Sequence, residues 1–186
     1  MYAEQVHDEE KPAVRWLPFQ LNPDIPEEGM PRHEYLERKF GAAGHSYDRV
    51  IANGRDVGID FAMDRITVQP NTLNAHRLML YAWKNGREDE MAETLFRAYF
   101  LEGADLAQTD ALAAIGERAG LERAAVAAYL ESDEDREAVL RADVDARQAG
   151  INGVPFFIFN RRTAISGAHA AETLLEAMLQ ARAQQE

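Results

Sequence analysis

Apolar positions change their spacing along this chain. Near the start they alternate: Val14, Trp16 and Leu17 sit around Arg15, which predicts a short strand that Pro18 ends. Asn22-Pro23-Asp24-Ile25-Pro26 follows and is too proline-rich for regular structure. From Pro31 to Ala149 the spacing becomes helical. Tyr35, Leu36 and Phe40 predict a helix from Glu34 that Gly41 stops, and Ser46 caps a second through Tyr47, Val50, Ile51 and Val57 to Gly58. Asn71 or Thr72 caps a third, whose Leu73, His76, Leu80 and Trp83 share one face, with Gly86 just past its end. Met91, Leu95 and Ala98, with Phe96, Tyr99 and Phe100 beside them, predict a helix apolar nearly all round and therefore the buried centre of this region. Thr109 caps a helix through Leu112 and Ile115 to Gly120, and Val126, Tyr129 and Leu130 mark another. Ser132 caps the last, whose Ala138, Ala142, Ala146 and Ala149 form a face of small residues before Gly150 ends it.

After Gly150 the period changes again. Phe156 to Phe159 is an unbroken apolar run between Gly-rich and Asn/Arg-rich segments, so it reads as a strand covered on both faces, with Thr163 to Ser166 as its hairpin partner. Pro155 marks the strand's first position, because a proline has no N–H to give to a ladder. Leu174, Leu175, Met178, Leu179 and Ala181 then recur at helical spacing and predict a helix packed back on the hairpin.

Composition narrows the functions open to such a chain. With 186 residues, 46% of them hydrophobic, it can bury a real core. A net charge of −12 argues against a nucleic-acid surface or an anionic membrane as partner. No long apolar stretch and no signal peptide is visible, so a cytoplasmic location is the expectation. There is no cysteine, which removes thiol chemistry, disulfides and Cys-rich zinc sites from the chain as it stands. His7, His33, His45, His76 and His169 show no metal-ligand spacing, and no Gly-rich phosphate loop occurs, so neither a metal nor a nucleotide is expected.

The order helix, Gly, Val154-Pro155, strand, turn, strand, Ser166-Gly167-Ala168, helix resembles the C-terminal half of the thioredoxin superfamily, and most closely its DsbA-like, FrnE-type branch. Trp16-x-Pro18-Phe19-x-Leu21-Asn22-Pro23-Asp24 with Gly29-Met30, the phrase Pro70 to Leu78, and the phrase Phe96 to Gly103 are also similar to FrnE-type sequence. The likeness spans about Val14 to Leu179. It implies an α/β, thioredoxin-like fold in which residues 1–30 and 150–186 form the core and residues 31–149 an all-helical insertion. It further implies a cis Val154–Pro155 bond, with the backbone of Val154 lining the active site. In such enzymes a thiolate at a helix N-terminus, its pKa lowered by the helix dipole, attacks a disulfide while the peptide lies along this loop.

The family's first strand and the cysteine-bearing start of its first helix have no counterpart here. That strand lies between the family's third and second strands, so its absence opens the centre of a sheet, where each unpaired buried backbone group costs about 1–3 kcal/mol. Three repairs are open: direct pairing of the flanking strands, a strand from another chain or a homodimer at the open edge, or a natural protein that starts upstream. The last is the expectation, with residues 2 to 11 as the tail of the first helix.

The candidate substrate-binding residues are Val154, Pro155, Ser166, Gly167, Ala168, His169, Asn71 and His76; no catalytic residue is assigned. Backbone N–H groups around Ser166 to His169 could hold an anion or simply cap a helix. By resemblance, the superfamily's glutathione-using isomerases bind the glutamyl end of that peptide near the matching turn. His76 reads as a hydrogen-bonded core histidine rather than a general base, because no carboxylate stands three or four residues away. The resemblance therefore implies a thiol–disulfide oxidoreductase family member, inactive in this cysteine-free form. The alternatives are a glutathione-dependent isomerase or transferase of the 2-hydroxychromene-2-carboxylate isomerase type, or a non-catalytic protein that binds a peptide or partner. No cofactor is expected beyond glutathione as a candidate ligand.

Overall fold

Side chains that are apolar at every third or fourth position need a partner surface, and four consecutive helices supply it to one another. The computed structural model describes residues 12–41 and 47–183. Within it, α3 (Leu73–Lys84), α4 (Glu88–Phe100), α5 (Thr109–Arg118) and α6 (Arg123–Glu131) enclose the main hydrophobic core. Leu78, Met91, Leu112 and Val126 are fully shielded there. Close approach needs small residues. A Cβ on Gly116 of α5 would meet Val126 Cγ2 at 3.0 Å, and one on Gly103, whose φ is +76°, would lie 2.6 Å from the Arg65 carbonyl oxygen.

Before this bundle come β1 (Met30–Pro31), α1 (Arg32–Phe40), α2 (Asp48–Asp56), a 3₁₀ turn at Met63–Arg65 and β2 (Val68–Gln69). β1 and β2 pair antiparallel, Met30 opposite Gln69. After it come α7 (Arg136–Gln148), β3 (Phe156–Phe159), β4 (Thr163–Ser166) and α8 (Ala171–Ala183). β3 and β4 form an antiparallel hairpin with Phe157 opposite Ile165, and α8 packs on it. Tyr2 to Lys11 and Ser46 lie outside the described residues. No described helix is long and apolar enough to cross a membrane.

Several sequence expectations change. Residues 14–17 are not a strand. A lone strand has no ladder to join, so side chains hold this segment against the helices instead. Arg15 pairs with Glu88 and stacks 3.9 Å over Trp83, Trp16 Nε1 donates to Asp89 at 2.9 Å, and the Trp16 ring meets Phe96 edge-on at 6.0 Å. β3 is not covered on both faces: it forms a two-stranded sheet with β4 alone, and Ile158 is 49% exposed. In α3 Leu73 is buried as expected, but Ala75, Leu78 and Ala82 complete the buried face and Trp83 is exposed. In α4 Phe96 is exposed, although the rings of Trp16 and Phe100 lie against it.

The caps shift as well. In α7 Ala138 and Ala149 face solvent and Val139 and Asp143 are buried. Ser132 does not cap α7; its hydroxyl donates to the Tyr129 carbonyl at 2.7 Å and so serves the end of α6. Asp135, with φ of 60°, stands before α7 instead. Gln108, not Thr109, precedes α5.

Candidate functional site

The C-terminal turn is tied together by its own backbone. The Val154–Pro155 peptide bond is cis, and β3 begins at the next residue. Gly167, at φ +91°, donates its N–H to the Pro155 carbonyl at 2.9 Å, which links the end of β4 to the residue that opens β3. His169 Nε2 donates to the Ser166 carbonyl at 3.0 Å. Val154, Pro155, Ser166, Gly167 and His169 are therefore one local group, with Ala168 inside its loop. The Gly167 N–H is already engaged and not free to hold an anion. Val154 is 48% exposed, and no backbone hydrogen bond among the described residues uses its N–H or C=O.

Asn71 and His76 are placed elsewhere, around α3. Asn71 Oδ1 accepts from the Leu73 N–H at 2.9 Å, capping the helix, while its Nδ2 donates to the Ile25 carbonyl at 2.7 Å and braces the proline-rich loop. Thr72 holds the cap position without a side-chain bond. His76 lies beside Phe19 and Asp143. Burial pushes its imidazole below the ordinary histidine range, opposed by the Phe19 backbone and the Asp143 carboxylate.

Asp143 is the carboxylate that the spacing within α3 could not supply. It is 4% exposed, accepts the Gln20 N–H at 2.7 Å, and pairs with Arg147 Nε at 3.0 Å. Arg147 also donates through Nη2 to the Gln20 carbonyl and sits 4.5 Å over the Phe19 ring. This clamp fastens the N-terminal segment to α7. Within it Gln20 Oε1 is the one shielded side-chain oxygen or nitrogen among the described residues with no partner. The only sequence signal for the clamp was the four-residue spacing of Asp143 and Arg147.

Chemically, the turn offers an exposed backbone edge rather than a nucleophile. The chain has no cysteine, and no group of three or more His, Asp or Glu among the described residues is arranged to hold a metal. No curated protein matches the chain. A solved structure does: the crystal structure of a probable DsbA oxidoreductase from Streptomyces coelicolor, at 27% identity and a TM-score of 0.78, over 89% of this chain and 73% of that one. The fold is thus the mixed α/β, thioredoxin-like fold of DsbA proteins. The sequence matches the DSBA-like thioredoxin domain across residues 2–179, nearly its whole length, and the chain belongs to that family of thiol oxidoreductases.

Proposed function

We propose that this chain is a FrnE-type member of the family that receives an extended, thiol-bearing peptide along Val154–Pro155 and does not itself turn over disulfides. The observation that carries the reading is Val154, half-exposed, with its backbone groups unengaged beside β3. An extended peptide pairs with such an edge through main-chain hydrogen bonds, and alternate side chains set its preference. The thiolate that would attack a disulfide has no source in a chain without cysteine. On this reading residues 1–30 and 150–186 are the thioredoxin-like core and residues 31–149 its helical insertion.

The test has two parts. Insulin reduction by dithiothreitol should proceed at the same rate with and without the protein, and measured turnover would overturn the inactive reading. Backbone amide spectra recorded during titration with a cysteine-containing peptide should shift at residues 153–156; shifts confined elsewhere would overturn the binding reading. Saturable glutathione binding at Ser166 to His169 would select the isomerase or transferase alternative. A tight homodimer without affinity for peptide or glutathione would select the partner-binding one.

A further inference from the structure

Two arginines are buried among the described residues, and they are treated differently. Arg77 uses its whole guanidinium: Nε, Nη1 and Nη2 donate to Glu134, Leu130, Tyr129 and Ser132 carbonyls and to Asn74 Oδ1. It sits at the C-terminal end of α6, where a cation is favoured by the helix dipole. Arg32 is 8% exposed but makes three side-chain bonds: Nη1 to Gln69 Oε1 at 2.9 Å and to Tyr99 Oη at 3.2 Å, and Nη2 to Tyr47 Oη at 3.0 Å. A guanidinium carries five N–H groups. The Nε hydrogen and one on Nη2 are left over.

All three partners of Arg32 are neutral, and burial pushes the Tyr99 hydroxyl above its usual range, so that phenol supplies no counter-charge. No ion pair among the described residues includes Arg32. It is also the first residue of α1, the positive end of a helix that has no side-chain cap. A cation at that end, with N–H groups that no acceptor among the described residues engages, is stabilised by an incoming anion.

Space for one is present. Arg32 lines an open cleft of about 580 Å³ between α1, α2 and the Met63–Thr67 segment, within the roughly 300–1,000 Å³ typical of small-molecule sites. Leu36, Ile51 and Met63 give it apolar walls, and the carboxylates of Asp48 and Asp64 also line it. Those two acids repel a simple anion and attract an ammonium.

We propose that this cleft binds a small zwitterion with an apolar body, an apolar amino acid or dipeptide with both ends free. Its carboxylate lies against Arg32, its ammonium on the side of Asp48 and Asp64, and its side chain against Leu36, Ile51 and Met63. None of these residues belongs to the Val154–Pro155 turn, so the site stands independently of the function proposed above.

Calorimetric titration of the full chain tests it with three probes: L-leucine, leucinamide, which lacks the carboxylate, and 4-methylpentanoate, which lacks the ammonium. Leucine should bind saturably, and leucinamide at least about tenfold more weakly. Arg32→Gln should abolish leucine binding with its helical circular dichroism retained. Because Arg32 is buried, the exposed pair Asp48→Asn with Asp64→Asn provides the second arm: leucine should fall to the level of 4-methylpentanoate, whose own binding does not weaken. No saturable leucine binding at roughly 10 mM, equal binding of leucinamide, or an unchanged preference in the double variant would each overturn the proposal.

Discussion

Arg77 and Tyr129 hold one another. The guanidinium donates to the Tyr129 carbonyl at 2.8 Å, and the Tyr129 hydroxyl lies 3.1 Å from the Arg77 carbonyl, while the cation sits 5.1 Å over the phenol ring. The same hydroxyl is 2.9 Å from Asp135 Oδ2, so its single proton is shared between two acceptors. The physical reason is that the last carbonyls of α6 have no helical partner. The planar fork of Arg77 supplies the missing donors.

Arg77→Ala should therefore destabilise the protein by at least about 3 kcal/mol, because the buried Tyr129 and Leu130 carbonyls lose their donor together with the part-buried Ser132 and Glu134 carbonyls. Arg77→Lys should retain little of this, since one ammonium cannot span the same set of carbonyls. Tyr129→Phe should lose about 1–2 kcal/mol. Urea unfolding measures all three, and a lysine variant as stable as the parent would show that the cap is not what secures α6.

The location of the core gives a second expectation. Leu78 is fully shielded in the helical bundle and Ile158 is 49% exposed on the hairpin. Leu78→Ala should lower stability by about 2–5 kcal/mol, whereas Ile158→Ala should lower it by under about 1 kcal/mol. The opposite ranking in thermal unfolding would place the core at β3 after all.

Gly103 provides a third. Its φ of +76° disfavours any side chain, and a Cβ would lie 2.6 Å from backbone at Arg65. Gly103→Ala should destabilise by more than about 1 kcal/mol, in contrast to the small gain that the same exchange gives where the backbone permits it. Comparison of the two melting curves decides it.

His76 makes stability depend on pH. Its pKa is lowered in the folded protein, chiefly by burial, so the unfolded chain takes up the proton more readily. The stability it contributes is complete above the ordinary histidine value of about 6.5 and declines as the pH falls from there through the lowered folded value. His76→Gln should flatten this decline, and the measurement is the urea midpoint between roughly pH 7.5 and 5. A variant with the same acid sensitivity as the parent would remove His76 from the account.

Much of the helical region was legible from single residues. Gly41, Gly86 and Gly120 follow the helices that their positions predict, each at positive φ, and Asn71 caps α3 as its type suggests. The site was legible only in part. Val154, Pro155, Ser166, Gly167 and His169 converge because few residues separate them and one hairpin folds them back. Asn71 and His76 do not join them, since their nearest partners are Ile25, Phe19 and Asp143, which only the packing of α3 against its neighbours brings close.

Local chemistry along the chain determined where helices stop, the hairpin after Pro155 and the absence of any thiol, because these depend on φ preferences, spacing and side-chain type within a few residues. Tertiary structure decided the rest. It left residues 14–17 without a ladder, turned Val139 and Asp143 of α7 inward in place of Ala138 and Ala149, and enclosed Arg32 and Arg77. Burial of a charge is set by which distant carbonyl, phenol or carboxylate reaches it, and that depends on how helices far apart in the chain come to lie together.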